Sequence, residues 1–413
     1  MRILILNHFE RFSPRVALET TALKQNGHDL TVLSWCRNPG GHAGLGDQLN
    51  GLPVKWVTVK SKKASSRLLL SLPRLYKEIW QSLKGEEFDV IHCTHLFLLP
   101  IAIFVSRKKK CKVVYDAYER HAVDLADYYF PFLKIWIAKL IEVAENFFVR
   151  HVDGVLTISS AGETLEKRYR KLCRNVEVIY NVPSLKSFTR NPKRKDLEER
   201  YRGRYVLSYV GGLIKGKGLF QLIDVLDLVR RKYPEVLLLL IGEFDSSQDK
   251  EEFYNRIKSR VLDEYVEVLP WLQYDDMLNY LELSHIGFAL HQRQTRFKLV
   301  GKGTGRKLFT YMQAGVPVIS TNFGEIAKVI EEEKCGILVD TTSVQEIVEA
   351  VTFLLENKDI AKKMGENGRA AILEKYNWET EEKKLHRVYE NLVPNSKETQ
   401  ADNQMEFDKL SAV

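Results

Sequence analysis

The sequence predicts an α/β protein of two doubly wound, Rossmann-like domains in tandem, and three observations lead there. Short β-branched runs alternate with longer amphipathic stretches, the pattern of parallel strands covered by helices on both faces. The alternation breaks over residues 182–204 (VPSLKSFTRNPKRKDLEERYRGR), a charged stretch with two prolines and no clean apolar period. The length of 413 residues is, at about 150 per domain, enough for two or three domains.

The first series opens with Arg2–Leu6 as a strand, Pro14–Gly27 as a helix that Gly27 ends, and Asp29–Ser34 as the next strand. Val54–Val59, Asp89–His92, Lys112–Asp116, Gly154–Ile158 and Val176–Ile179 continue the strands. Helices are expected between them at Arg67–Lys84, Leu96–Lys108, Phe132–Arg150 and Ala161–Lys171. In the second series Tyr205–Val210, Val236–Ile241, Val266–Leu269, Ile286–Leu290, Val316–Ser320 and Gly336–Val339 read as strands. Gly218–Lys232, Tyr274–Leu283, Arg306–Ala314, Glu325–Glu332 and Val344–Glu356 read as helices, followed by helical patterns over Asp359–Lys375 and Trp378–Leu392. The expected layout is a domain over 1–181, a linker over 182–204, a second domain over 205–376, a last helix over 377–393 and a polar tail over 394–413. Ligands of such sheets sit beyond the carboxyl ends of the strands, so the cleft between the domains is the expected site.

Composition narrows the class. With 45% apolar and 28% charged residues the chain reads as an ordinary globular protein. Its five cysteines are odd in number and scattered, without CxxC or a Cys/His cluster, which supports neither a disulfide framework nor a zinc site and fits a reducing cytosol. The apolar run before Asn7 is only four residues, too short for a secretory signal, and the run Leu96–Val105 is about half of what a membrane-spanning helix needs. The expectation is a cytoplasmic protein. Residues 1–200 hold 33 Lys and Arg against 21 Asp and Glu, a net +12, whereas residues 201–413 are net −4. That asymmetry suggests an anionic surface or substrate facing the first half.

Two segments could carry chemistry. In Tyr209–Ile223 (YVGGLIKGKGLFQLI) a strand ends in Gly211-Gly212, a loop carries Lys215 and Lys217, and a helix begins after Gly218. Glycines admit an anion close to the backbone, the helix N-terminus offers free N–H groups, and a lysine adds a point charge. The spacing matches neither a P-loop nor GxGxxG, and a tight turn in a covered sheet is the alternative reading. In Lys302–Ser320 (KGTGRKLFTYMQAGVPVIS), Gly303 and Gly305 precede Arg306-Lys307 at a helix start, a second place for an anion unless those two charges are merely solvated. Two such places suit a diphosphate such as that of a nucleotide-sugar. Asp275-Asp276 lie at a helix start, where acids favour the dipole, and His92 and His95 close a strand. No GxSxG elbow is present.

Taken in order, VGGLIKGKG, GRKLFTYMQAGVPVIS, GEIAKVI, CGILVD and KYNWETEEKKLHRVYENL, with NGHDLTVLS, FDVIHCTH, VVYDAYE, VLTISSA and VIYNVPSLKSF before them, resemble the retaining GT-B glycosyltransferases of the family-four type. The resemblance covers nearly the whole chain. It implies a GT-B fold, two Rossmann-like domains facing across a cleft, and transfer of a sugar from a nucleotide-sugar held by the second domain to an acceptor held by the first. It implies no metal or other cofactor, and a final helix that returns to the first domain. Lys217 matches the lysine that contacts the donor diphosphate, Gly212 stands where an arginine commonly shares that role, and Gly305 matches the glycine beside the diphosphate. The Glu-x7-Glu pair of the family falls on Lys302 and Thr310, so both carboxylates are absent. A carboxylate can accept two hydrogen bonds from a diol, Thr310 weaker ones, and Lys302 none.

The expected donor-phosphate set is therefore Gly211, Gly212, Lys217, Gly305, Arg306 and Lys307, with Lys302, Gly303, Thr304 and Thr310 near the donor sugar or ribose. Glu325 or Glu243 could replace the missing pair. On the acceptor side, VVYDAYE has Tyr118 where the family has a histidine, leaving His95, Asp116, Tyr118 and Glu119. The expected acceptor is a glycan or a lipid-linked sugar in polysaccharide or glycoconjugate biosynthesis. A non-catalytic nucleotide-binding subunit on the same scaffold is the alternative, and an epimerase would need an acid/base pair that is not identifiable. KSKKASSR, RKKKCK, RNPKRK and the aromatic–basic stretch Tyr128–Arg150 suggest peripheral contact with an anionic membrane, where each basic residue adds about 1 kcal/mol. A solvated face on a core helix is the plainer explanation of that stretch. No nucleic-acid motif is present.

Overall fold

The computed structural model describes residues 1–8, 12–37, 48–49, 51–61, 68–129, 133–158, 165–188, 194–292 and 305–393. The chain forms two compact units. The first comprises the described residues up to 179 together with those from Glu381 to residue 393, and the second the described residues from Tyr180 to Thr380.

In the first unit the elements follow as β1 (Arg2–Asn7), α1 (Pro14–Gln25), β2 (Asp29–Cys36), β3 (Gln48–Leu49), β4 (Leu52–Thr58), α2 (Leu68–Leu83) and β5 (Val90–Cys93). Then come α3 (Leu99–Lys109), β6 (Lys112–Ala117), α4 (His121–Tyr129), α5 (Lys134–Val149), β7 (Gly154–Thr157), α6 (Leu165–Arg170) and β8 (Val176–Val178). The sheet order is β3-β4-β2-β1-β5-β6-β7-β8, parallel throughout except for the β3–β4 pair. β1 shows why: every residue after Arg2 is buried, as a strand covered on both faces requires. Ile5 lies opposite Val32 on one side and His92 on the other. The neighbours of β1 are thus β2 and β5, and the connections depart to opposite sides there, the switch point where such sheets take ligands. Ser13 caps α1 by accepting from the Val16 amide, with Pro14 inside the first turn.

The second unit holds α7 (Lys195–Arg200), β9 (Tyr205–Val210), α8 (Leu219–Val229), β10 (Val236–Ile241), α9 (Ser247–Ser259), β11 (Val266–Leu269), α10 (Tyr274–Leu281) and β12 (Ile286–Ala289). It continues with α11 (Arg306–Ala314), β13 (Val318–Thr321), α12 (Gly324–Glu333), β14 (Gly336–Val339), α13 (Val344–Glu356) and α14 (Lys358–Glu374), and α15 (Trp378–Glu390) leads out of it. The sheet order is β11-β10-β9-β12-β13-β14, all parallel. Two cores flank it, one built on Phe309 and Met312 of α11, the other on Leu222 and Ile223 of α8.

Three expectations change. The 182–204 stretch is not a bare linker: it carries a 3-10 turn and α7, and Val182, Leu197 and Tyr201 are buried in or on the second unit. Its charges are spent locally, as in the 2.6 Å pair of Arg200 with Glu267. The helix expected over 132–150 is preceded by a second helix, α4, packed against it. And α9, which no apolar period announces, buries only Phe253 and Ile257 of its thirteen residues.

All five cysteines are buried thiols. Among the described residues no helix is long and apolar enough to cross a membrane.

Candidate functional site

The carboxyl edge of the second sheet gathers the residues singled out for a diphosphate. β9 runs out at Val210 into Gly211, which has a φ of 125°. The Tyr209 hydroxyl donates to Gly212 O at 2.8 Å and holds the turn. A 3-10 turn then brings Lys215 to Lys217, and Gly218, at a φ of 82°, starts α8. Only glycine fits there: a Cβ on Gly218 would stand 2.6 Å from Leu290 O, and one on Gly211 would stand 2.6 Å from Lys307 Cε.

That second distance joins the two expected anion places. Lys307, in the first turn of α11, lays its side chain across Gly211, and its Nζ lies 3.4 Å from the centroid of the Tyr209 ring. Lys217 Nζ lies 3.7 Å from where a Cβ of Gly212 would be. Two ammonium groups therefore approach one glycine pair. Burial and then the charge of Lys217 hold Lys307 well below the usual lysine range. His291, just beyond β12, is buried beside them. Burial, Lys307 and Lys217 push it down to about 3, so its imidazole is neutral near pH 7. Arg306 stays at the surface, and α11 starts at Gly305 with no side-chain cap and no acid in its first turn, which leaves the dipole available to an anion.

The alignment of α11 depends on one tyrosine. Tyr311 Oη accepts from Val210 N at 2.9 Å and donates to Ser208 O at 3.1 Å, tying the helix to the carboxyl end of β9. Gly287 makes room for its ring, since a Cβ there would come within 2.4 Å of it. Thr310, one residue earlier, is buried and donates to Arg306 O at 2.9 Å. Its oxygen keeps only lone pairs for a ligand. Lys302, Gly303 and Thr304 lie outside the described residues. Of the two proposed substitutes for the missing carboxylates, Glu243 is exposed, whereas Glu325 is buried at the start of α12, directly after β13. β9, β12 and β13 are adjacent, so Gly211, His291 and Glu325 follow neighbouring strand ends. Sequence reasoning missed Tyr209, His291 and Tyr311, because their partners come from sheet adjacency and not from local spacing.

In the first unit the expected acceptor-side residues separate. Asp116 is fully buried and is bound by Arg15 at 2.7 Å, so its carboxylate is not an exposed edge group. Arg15 also meets Glu19 at 2.9 Å and donates to Ile179 O at 2.7 Å. Burial and the nearby Glu19 hold Asp116 well above the usual carboxylate range. Against its own burial, Arg15 and then His92 hold Glu19 below that range. His92 completes the cluster, with Nε2 3.3 Å from Glu19 and Nδ1 2.8 Å from the Tyr389 hydroxyl. Glu19, His92 and Asp116 bring ligand atoms within 4.8 Å of one another, a spacing that could hold a metal ion. Arg15 already supplies the positive charge, which makes the cluster an ion network of the fold.

His95 is the N-cap of its own 3-10 turn, its Nδ1 accepting from Phe97 N at 3.1 Å. Its ring packs 4.1 Å from His8 and 4.5 Å from His121, centroid to centroid. Tyr118 is buried against His8 and His121, and Glu119 is exposed. Burial holds all three imidazoles below the usual range, His121 down to about 4. They are neutral groups that can both donate and accept, at the ends of β1, β5 and β6.

Residues 190–371 match the family of glycosyl transferases group 1, and residues 13–181 match the glycosyl transferase 4-like domain. The chain is a group 1 glycosyltransferase. An uncharacterized glycosyltransferase of Methanocaldococcus jannaschii is 22% identical over 312 residues, 74% of this chain and 76% of that one. A GDP-mannose-dependent phosphatidylinositol monomannoside mannosyltransferase of Mycobacterium tuberculosis is 27% identical over 194 residues, 46% of this chain and 49% of that one. Among solved structures, Anabaena HepE in complex with UDP superposes with a TM-score of 0.71 at 18% identity, covering 94% of this chain and 100% of HepE. Sucrose-phosphate synthase of Thermosynechococcus elongatus gives 0.72 at 15% identity, covering 95% and 99%. At those identities the likeness concerns the fold, which is GT-B.

Proposed function

We propose that this glycosyltransferase moves a sugar, with retention, from a nucleotide-sugar to a glycan or lipid-linked acceptor in polysaccharide or glycoconjugate biosynthesis. The observation that carries the donor half is the approach of Lys217 and Lys307 to the Gly211–Gly212 pair. A diphosphate seated there meets both ammonium groups, with Arg306 and the start of α11 at its flank. These cations stabilise the charge that develops as the nucleoside diphosphate departs, and the reaction needs no protein nucleophile and no resident metal. Near the transferred sugar and ribose, Thr310 and buried Glu325 take the place of the absent Glu-x7-Glu carboxylates. His95, Tyr118 and Glu119 belong to the acceptor side, where neutral imidazoles suit sugar hydroxyls. Asp116 acts there only through Arg15. The protein works at the cytoplasmic face of a membrane, reached through the basic first domain.

The titles of solved neighbours support the donor class: HepE is described with UDP, with UDP and glucose, and with UDP-glucose. The test is turnover of a panel of nucleotide-sugars in the presence of EDTA, with the anomeric configuration of the product read by NMR. Retention in the presence of chelator is expected. Inversion would remove the mechanism, and nucleoside diphosphate binding without any turnover would remove catalysis.

A further inference from the structure

α5 has apolar residues on both sides. Its inner side is ordinary: Val149 is buried, Ile141 and Phe148 pack on the core, and buried Glu145 accepts from Tyr115 at 2.8 Å and Tyr169 at 2.9 Å. Its outer side is not. Trp136 (79% exposed), Leu140 (67%), Val143 (59%) and Phe147 (57%) recur at steps of four, three and four, so they form one stripe along the helix. Leu133, the N-cap residue, extends it at the N-terminal end, at 60% exposure. A contiguous apolar face of this size in water marks a surface that something covers.

Charge says what covers it. At about 100° per residue, exposed Lys139 and Arg150 fall on one flank of the stripe. The neighbouring helix α3 adds exposed Phe104, with Lys108 5.9 Å from its ring, and exposed Arg107, and exposed Lys110 follows at its C-cap. The acids of α5 point elsewhere: Glu142 faces Arg168 at 3.6 Å, and Glu145 is buried. A second copy docked stripe to stripe would bring basic rims together with no carboxylate from either stripe between them. An anionic bilayer offers both what the stripe and what the rim require, acyl chains for Trp136, Leu140, Val143 and Phe147 and phosphate headgroups for the lysines and arginines.

We propose that α5 lies flat in the surface of an anionic membrane, its Trp136–Phe147 stripe in the acyl boundary and Lys139 and Arg150 among the headgroups. This deepens the membrane contact proposed above and rests on that reading for the purpose of docking, to reach a lipid-linked acceptor. The docking itself does not depend on turnover.

The experiment is co-sedimentation of the full chain with phosphatidylcholine vesicles with and without phosphatidylglycerol. The comparison is with the triple variant Trp136→Gln, Leu140→Gln, Phe147→Gln and the double variant Lys139→Glu, Arg150→Glu. All five positions are exposed, so folding is expected to persist, checked by circular dichroism. The wild type is expected to pellet with anionic vesicles and less with neutral ones. The triple variant should lose affinity by about tenfold or more, and the double variant should lose the anionic preference. Equal pelleting of wild type and triple variant overturns the proposal. So does a wild-type dimer in size-exclusion chromatography that the triple variant abolishes while neither binds vesicles. Turnover with a soluble acceptor is measured in parallel. A protein that docks yet transfers nothing refutes the transferase reading and leaves the docking face standing. An active protein that ignores vesicles does the reverse.

Discussion

Each unit of this protein draws charged side chains together, and the two do so with opposite logic. In the first, Arg15 is matched by Glu19 and Asp116, and His92 and Tyr389 complete the set. In the second, Lys217 and Lys307 bring like charges to one pair of glycines. A cluster in which opposite charges meet holds a fold together. A cluster that brings like charges together costs folding energy, which suits the diphosphate site proposed for it.

The comparison can be broken most forcefully in the first unit. Arg15→Met leaves two buried carboxyl groups without their cation, and a loss of about 3–5 kcal/mol is expected in urea unfolding. A loss under 1 kcal/mol would mean the cluster is solvated and the contrast false. Lys307→Ala should act the other way. Nucleoside diphosphate affinity should fall by about tenfold to a hundredfold, the value of one charge-assisted hydrogen bond, while the unfolding midpoint holds or rises. Calorimetric titration and thermal unfolding of the same samples read both.

The contrast also has a pH signature. Lys307 sits below the usual lysine range, and at the proposed site a bound diphosphate is expected to raise it again, with uptake of a proton on binding. Affinity should therefore strengthen as pH falls toward about 7.5, a range in which a phosphate with a second pKa of about 6 stays ionised. Lys307→Arg, charged throughout, should flatten that slope, and a wild-type slope of zero would remove the depressed lysine from the account. The smallest effect is expected at Gly211→Ala. Its φ of 125° and the crowding of Lys307 should weaken binding severalfold with about 1–2 kcal/mol of stability, and a variant with unchanged affinity would show that Lys307 relocates freely.

How much of this was legible follows the range of the interactions. β10, VLLLLI, is buried along its length and announces itself as a covered parallel strand. α9 is polar and docks through two residues, so periodicity carries no signal for it. In the site, Gly211, Lys217 and Lys307 could be picked out because a glycine pair with nearby lysines, and cations at a helix start, are local patterns. His291 could not, since only the adjacency of β9 and β12 brings it to Lys217 and Lys307. Asp116 was legible as a strand-end carboxylate, but not the direction of its side chain, which Arg15 decides from 101 positions away.

The hydrogen bond between His92 and Tyr389 has one more consequence, for the order in which the molecule can be finished. The Rossmann-like unit that begins at Met1 receives a helix from the far end of the chain. Asn175 and Glu177, on and beside its edge strand β8, likewise wait for Val388 and Arg387. During synthesis from the N-terminus, domains tend to fold as they emerge. Here the unit that is made first must stand with an open face while the whole second unit is translated. It closes only when the last turns of α15 arrive.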